Sequence, residues 1–367
     1  MAGILGRMTR WWRPALILVV LFGVVACDAG TSERTETSTA RVQATADGLT
    51  LDGSPWWPAG LNAYQLATDW SVNRGCGAEV DLDSFFASLP EASLTRFNAF
   101  HWLAIDKKTG ALDFTGIDAV FRAAEAHRQL LIPVLAAQDG ACGDEIFKTS
   151  NWYAGDWKTV APGSVLSYQD WVTTAVGRWR DSPSLAMWEL IGEPEPLLPD
   201  RTCTPQAASL LRAFVDEVGG SVRALDGEHP ITLGTIGGGQ CGTAGEDYAY
   251  VGASPALDVL QYHDYGADGV PLPGDRYNGL AVHLQQARGL GKPLLVAEIG
   301  QSAGAGCGSV GDRARDVANK MDGQREAGTA GALLWAFVPD PRPSECTYDI
   351  GPDDPLRRVL RERNGTR

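Results

Sequence analysis

Two glutamates stand at the ends of mostly apolar segments that are typical of buried strands. Glu193 follows Met187–Gly192 and precedes Pro194, and Glu298 follows Pro293–Ala297. A carboxylate without a partner is costly in a strand interior. Two carboxylates at such positions therefore indicate a functional role. Held close together, two carboxyl groups can divide the roles of nucleophile and proton donor.

The segments around these glutamates belong to a regular alternation of predicted strands and helices. The predicted strands are Ala59–Leu66, Leu94–Phe100, Leu130–Ala136, Leu185–Ile191, Ile231–Thr235, Val259–His263, Leu294–Glu298 and Ala332–Phe337. The predicted helices are Leu82–Leu89, Ile117–His127, Tyr168–Arg180, Pro205–Leu225, Arg276–Arg288 and Asp312–Ala327, with a weaker helical signal over Gly245–Gly252. Eight strands with helical crossovers predict an α/β fold, a single-domain (β/α)8 TIM barrel. The alternative is a doubly wound open sheet, but no Gly-x-Gly-x-x-Gly follows the first strand.

The chain before the barrel has three predicted parts. Residues 1–27 have arginines before the uncharged run Pro14–Ala26, the pattern of a signal peptide. Residues 28–46 are rich in Ser, Thr, Ala and Glu and are interpreted as a disordered tether. Residues 47–367 form the predicted domain, which begins with a short β-hairpin around the Asp52-Gly53 turn.

The signal peptide ends at a cysteine. Val24, Val25 and Ala26 precede Cys27, which resembles a bacterial lipobox whose cysteine is lipidated. We therefore expect an exported protein held by a lipid at the outer face of the cell membrane, or also secreted. The alternative is an ordinary signal peptide that is cut nearby.

The charge of the chain limits its partners. The net charge of −14 disfavours binding to nucleic acid or to an anionic membrane face. It favours a neutral or cationic substrate. We expect a monomer without a metal or another cofactor.

Six cysteines remain after Cys27. They are Cys76, Cys142, Cys203, Cys241, Cys307 and Cys346. An even number in an exported protein predicts three disulfides, and all six follow predicted strands. Since neighbouring loops are the easiest to bridge, Cys203–Cys241 and Cys307–Cys346 are favoured, with Cys76–Cys142 as the remainder.

Several residues at strand ends form a recognisable set. They are Arg96, Gly192-Glu193-Pro194, His263-Asp264-Tyr265, Glu298 and Trp335. Over nearly the whole domain, this set resembles glycoside hydrolase family 5, the cellulase and mannanase group of retaining (β/α)8-barrel glycosidases. The resemblance implies cleavage of β-glycosidic bonds in a poly- or oligosaccharide, of β-mannan, β-glucan or cell-envelope type, through a glycosyl-enzyme intermediate.

The resemblance also implies roles for these residues. Glu298 is the expected nucleophile, kept ionised by Arg96 and the hydroxyl of Tyr265. Glu193 is the expected acid/base, with a pKa raised by the charge of Glu298. His263 offers a polar edge to the sugar, and Trp335 a flat face.

Four further residues are expected near the sugar. His101 and Trp102 follow the second strand, and Asn62 lies in the first. Gly192 stands where the family carries an asparagine that bonds the sugar 2-hydroxyl, so the sugar preference is left open. Two other functions also stay open: a non-catalytic carbohydrate-binding protein on a decayed barrel, and a cell-wall transglycosylase.

Overall fold

A small antiparallel sheet begins the part of the chain that the computed structural model describes, residues 41–71, 77–139, 146–162 and 164–365. Its strands are β1 (Val42–Thr45), β2 (Gly48–Leu51) and β3 (Ser54–Trp56). The predicted hairpin is confirmed: Asp52 and Gly53 join β2 to β3, and both have the positive φ that a two-residue hairpin turn needs. The predicted tether was extended too far, because β1 pairs with β2 and buries Val42.

Eight parallel strands form the barrel. They are β4 (Ala59–Asn62), β5 (Leu94–Asn98), β6 (Leu130–Val134), β7 (Trp188–Gly192), β8 (Ile231–Gly234), β9 (Leu260–Asp264), β10 (Leu294–Ile299) and β11 (Ala332–Leu334). Their order is β8-β7-β6-β5-β4-β11-β10-β9. A parallel bridge between Thr232 and Val259 links the two ends of this order. All eight predicted strands are confirmed, and so is the barrel.

Nine α-helices lie in the described part of the chain. They are α1 (Leu82–Ala87), α2 (Thr115–Ala126), α3 (Ser150–Ala154), α4 (Tyr168–Trp179), α5 (Ala207–Leu225), α6 (Glu246–Gly252), α7 (Leu280–Gly289), α8 (Val310–Glu326) and α9 (Leu356–Arg363). The sequence missed the short helices α3 and α9. Helix α7 begins four residues later than predicted, because the carboxylate of Asp275 accepts the backbone N–H groups of Tyr277 and Asn278 and forms a turn there.

The apolar core has two layers. One lies between the strands and the helices, and the other fills the lower barrel with side chains such as Leu94, Leu130 and Ile132. Val42, Leu49 and Trp56 of the small sheet pack onto this lower layer, so that sheet covers the bottom of the barrel. The end of the barrel that stays open to solvent is therefore the one at the carboxyl ends of the strands. The helices in the described ranges include none with the length and apolar character of a membrane span.

Two disulfides join neighbouring loops at the carboxyl ends of the strands. Cys203–Cys241 connects the loops after β7 and β8, and Cys307–Cys346 connects those after β10 and β11. Both predicted pairs are confirmed. The predicted Cys76–Cys142 pair lies outside the described residues, as do Cys27 and the signal peptide.

Candidate active site

Glu193 and Glu298 lie at the carboxyl ends of β7 and β10, on the face where barrel enzymes place their active sites. Glu298 is buried, with a side chain only 4% exposed, whereas the side chain of Glu193 is 42% exposed. The backbone of Glu193 has a φ of 54°, in the left-handed region that a non-glycine residue adopts at a cost. Its N–H donates to the carbonyl of Gly234 at 2.8 Å, which fixes this conformation beside β8.

Two donors hold the carboxylate of Glu298. Arg96 donates from Nη1 to Oε1 at 2.7 Å, and the hydroxyl of Tyr265 donates to Oε2 at 2.5 Å. Charge-assisted hydrogen bonds of this kind favour the ionised carboxylate and fix its orientation. Burial and the charge of Glu298 raise the pKa of Tyr265 far above its usual range, so its hydroxyl keeps its proton.

His263 lies between the two glutamates. Its Nδ1 is 2.8 Å from Oε1 of Glu193 and 3.5 Å from Oε1 of Glu298. One oxygen of each glutamate and one ring nitrogen of His263 all lie within 4.8 Å of one another. The register of β9 and β10 explains this contact, because His263 pairs directly with Glu298 across a local bulge.

The charges of this cluster determine its protonation. Burial lowers the pKa of His263, but Glu298 and Glu193 outweigh burial and raise it. Burial raises the pKa of Glu193, but the hydrogen bond and charge of His263 outweigh burial and lower it. Burial raises the pKa of Glu298, opposed by His263, Arg96 and the hydroxyl of Tyr265. The expectation that Glu298 raises the pKa of Glu193 was therefore wrong for the free site, because His263 pairs with Glu193.

Below this cluster, Glu189 holds Arg96 in place. Nε and Nη2 of Arg96 donate to the two carboxylate oxygens of Glu189 at 2.7 and 2.6 Å, and Gln261 adds a third hydrogen bond at 2.8 Å. Glu189 is therefore a buried structural partner of Arg96. Asn62 accepts from Arg96 at 2.9 Å and donates to the carbonyl of Ala297 at 2.7 Å. Asn62 thus orients Arg96 and has no free group for a sugar, which corrects the prediction of a sugar contact.

A cleft runs over the two glutamates and has Trp335 at its middle. On one side is a cavity of about 350 Å³ that includes Glu193, Glu298 and Gly192 in its walls. On the other side is a cavity of about 470 Å³, and Trp335 lines both. The ring of Tyr64 stacks on Trp335 with centroids 5.6 Å apart. Trp335 is half-buried, so it presents an aromatic surface where the two cavities meet.

His101 and Trp102 lie elsewhere. Both are buried, and neither lines the cavities on the two sides of Trp335. Nε2 of His101 is 2.9 Å from the hydroxyl of Ser164, and burial lowers the pKa of His101 to about 3. The chain turns outward after β5 into a short 3-10 helix, and this turn carries both side chains into the packing beneath the neighbouring loop. The prediction that these residues contact the sugar is corrected accordingly.

Three aromatic or amide side chains of the cleft are among those that the sequence analysis missed. Tyr64 and Tyr348 line the larger cavity, and Asn98 lines the cavity that contains the glutamates. Asn98 could have been identified from the sequence, because it follows Arg96 by two residues on the same strand. Side chains alternate between the faces of a strand, so Asn98 and Arg96 share a face. Tyr64 follows Asn62 by two residues in the predicted first strand, so the same alternation would have indicated it. Tyr348 lies in a loop, where no periodicity indicates a direction.

Glu193, His263 and Glu298 could in principle hold a cation, since their donor atoms are close enough together. Arg96 already supplies a positive charge to Glu298, and Nδ1 of His263 is engaged with Glu193. We therefore assign no metal to these residues.

The chain is similar to several curated proteins. It is 27% identical to the probable mannan endo-1,4-beta-mannosidase F of Aspergillus flavus, over 80% of this chain and 66% of that protein. It is 26% identical to the putative mannan endo-1,4-beta-mannosidase 9 of Oryza sativa, over 89% of this chain and 88% of that protein. The chain thus spans slightly less than two thirds of the Aspergillus protein. No family model matches it.

Solved structures share the fold. The endo-1,4-beta-mannanase from Rhizomucor miehei superposes with a TM-score of 0.63 at 16% identity, covering 88% of this chain and 97% of that one. At this identity the likeness concerns the fold, a (β/α)8 barrel. The chain thus has a (β/α)8-barrel fold, and the curated proteins that it resembles in sequence are named mannan endo-1,4-beta-mannosidases.

Proposed function

We propose that the chain is an endo-acting hydrolase of a β-mannan, and that it cleaves the glycosidic bond by double displacement with retention. The observation that supports the reaction most is the cluster of Glu193, His263 and Glu298, with Arg96 and Tyr265 bound to Glu298. The names of the relatives, mannan endo-1,4-beta-mannosidases, support the choice of sugar and linkage.

The spacing of the two carboxyl groups supports retention. Retaining glycosidases hold them about 5–5.5 Å apart, and inverting enzymes about 6.5–9.5 Å apart to fit a water molecule. Here one oxygen of Glu193 lies within 4.8 Å of one oxygen of Glu298. This distance is shorter than the inverting range, which supports direct attack by Glu298.

In the first step, Oε2 or Oε1 of Glu298 forms a bond to the anomeric carbon. The bond from that carbon to the glycosidic oxygen breaks, and Glu193 gives its proton to the departing oxygen. Arg96 and Tyr265 oppose the rise that burial causes in the pKa of Glu298, and they orient its carboxylate before the attack. Because Glu193 is exposed toward the cleft and Glu298 is buried beneath it, the proton donor faces the leaving group and the nucleophile faces the ring.

The proton for this step is shared between His263 and Glu193. In the free site the imidazole holds it, across the 2.8 Å contact with Oε1 of Glu193. A sugar that covers Glu193 removes the water that solvates its charge, and loss of solvation favours the neutral carboxyl group. The proton then moves from Nδ1 of His263 to Glu193, where the leaving oxygen can accept it.

In the second step, water attacks the anomeric carbon of the glycosyl-enzyme. Glu193, now ionised, takes a proton from that water, and the bond between the sugar and Glu298 breaks. If another sugar hydroxyl replaces the water, the same steps give transglycosylation, so product analysis separates these two outcomes.

The cleft supports endo action. Two cavities share Trp335 as a lining residue. A polysaccharide can therefore place sugars on both sides of the bond that is cut. An exo-acting enzyme would need one side closed.

A panel of polysaccharides tests the proposal. The mature protein should release reducing ends from β-mannan faster than from β-glucan, and the early products should be oligosaccharides of mixed length. Glu298→Ala serves as the blank, and Glu125→Ala on the exposed face of α2 is the matched control. Equal rates on all polysaccharides would reject the choice of mannan. Rates equal to those of Glu298→Ala would reject hydrolysis.

We also propose that the protein acts outside the cell. The two disulfides support an oxidising environment. The lipid on Cys27 stays a prediction from the sequence, tested by the mass of the N-terminal peptide of membrane-derived protein. A peptide that begins elsewhere, without a lipid, would contradict it.

A further inference from the structure

The sugar 2-hydroxyl needs a partner in this cleft. In glycosidases of this mechanism, hydrogen bonds to that hydroxyl strengthen in the transition state and supply several kcal/mol. Gly192, directly before Glu193, has no side chain to provide one. A Cβ at this position would lie 3.0 Å from Nη2 of Arg96 and 3.6 Å from Oε1 of Glu189. The Arg96–Glu189 pair therefore occupies the space into which a side chain at position 192 would extend.

The other polar side chains around Glu298 are already engaged. Arg96 uses all three of its nitrogens on Glu189, Asn62 and Glu298. The amide of Gln138 donates to two backbone carbonyls, and its oxygen accepts from Tyr153 and from the N–H of Glu195. Arg201 stacks on Phe147 at the rim. His263 and Tyr265 are bound to the two glutamates.

The guanidinium of Arg201 has no hydrogen-bond partner among the described residues, but it can only donate. Asn98 is the other exception. Asn98 lines the same cavity as Gly192, Glu193 and Glu298, and is half-buried. Neither its oxygen nor its nitrogen has a hydrogen-bond partner among the residues that the structure describes. An amide offers both a donor and an acceptor, which suits a hydroxyl group.

The position of Asn98 along β5 is also suitable. It lies two residues beyond Arg96 on the same face, which is about 7 Å closer to the mouth of the barrel at ~3.3 Å per residue. Asn98 pairs with Val134, and Cγ1 of Val134 is 3.5 Å from the position of a Cβ at Gly192. Val134 therefore lies between Asn98 and Gly192, and Asn98 is above the guanidinium that holds Glu298.

We propose that the amide of Asn98 binds the 2-hydroxyl of the sugar whose anomeric carbon Glu298 attacks, and that it is a residue by which the enzyme distinguishes sugars that differ at C2. This inference rests on the proposed hydrolase function, and it adds the residue that recognises the configuration at C2 of the sugar. It also gives a physical reason why glycine is tolerated at position 192.

Two substrates separate this role from a general effect on the fold. One is an aryl β-mannobioside, and the other is the same compound without the 2-hydroxyl on the reacting sugar. Asn98→Ala should lower kcat/KM on the first by on the order of tenfold to a hundredfold. On the 2-deoxy compound the same variant should match the wild-type protein, because the partner of the amide is already absent. The loss should appear in kcat more than in KM, since the bond strengthens in the transition state.

Controls keep the outcomes distinct. Asn151→Ala, an exposed asparagine on α3 outside the cleft, should leave both rates unchanged. Asn98→Ser retains a hydroxyl and replaces Asn98→Ala if that variant does not fold. Equal losses on both substrates, or no loss on either, would overturn the role of Asn98. A wild-type protein that cleaves neither substrate would reject the proposed function itself.

Discussion

Tyr265→Phe removes one hydrogen bond from the nucleophile and little else. The hydroxyl of Tyr265 donates to Oε2 of Glu298 at 2.5 Å and lowers the pKa of that carboxyl against the effect of burial. A hydrogen bond to a charged group contributes about 1.5–3 kcal/mol. Since Tyr265 is 41% exposed, solvent replaces part of this interaction, and we take about 1–1.5 kcal/mol. That corresponds to roughly tenfold in the ionisation equilibrium of Glu298.

The loss of this hydrogen bond shifts the pH dependence of activity in one direction. Without the hydroxyl the pKa of Glu298 rises, so the acid limb of kcat/KM moves to higher pH. At pH values on the acid side of the profile, kcat/KM should fall by about tenfold. On the plateau of the profile, kcat/KM should change less. The assay is a pH profile of kcat/KM on an aryl β-mannobioside. Tyr250→Phe, an exposed tyrosine on α6, should leave the profile unchanged. An acid limb that stays in place, or that moves to lower pH, would refute this account of Glu298.

Three further predictions concern the proton donor and the loops. Glu193→Ala should form the glycosyl-enzyme only from substrates with good leaving groups and should hydrolyse it slowly; equal losses for all leaving groups would argue against an acid/base. His263→Gln should move the alkaline limb of kcat/KM to lower pH, because the imidazole with its raised pKa no longer holds the proton for Glu193; an unchanged limb would contradict the shared proton. Alkylation of the folded domain should label no thiol before reduction and six after it, as measured by intact mass; six thiols labelled without reduction would contradict the disulfides.

The sequence predicted the fold well because its signals are local. Apolar runs of strand length, separated by helical patterns, gave all eight barrel strands, and the Asp52-Gly53 turn gave the hairpin. Helix α7 was placed too early because the turn made by Asp275 depends on side-chain hydrogen bonds that the pattern does not reveal.

The candidate site was predictable where side chains follow directly from a strand end. Glu193, Glu298 and Trp335 are such residues, and all three line the same cavity. Asn62 was assigned to the sugar because strand parity does not show how deep a side chain lies in the barrel. In the structure, both ends of the Asn62 amide are engaged with other residues.

The electrostatics of the site were not predictable in the same way. His263 contacts Glu193 and Glu298 because β9 and β10 pair with a bulge between Val296 and Glu298. A shift of that register would move the imidazole away from both carboxylates. The sequence alone thus gave the charge of Glu298 as the main influence on Glu193, whereas the nearest group is the imidazole of His263.

The anomeric configuration of the first product tests the central claim most directly. The wild-type protein is mixed with a β-linked manno-oligosaccharide, and the anomeric protons of the new reducing end are followed by NMR before mutarotation. The carboxyl spacing predicts the β anomer first, changing to the equilibrium mixture with time. The α anomer appearing first would contradict double displacement through Glu298.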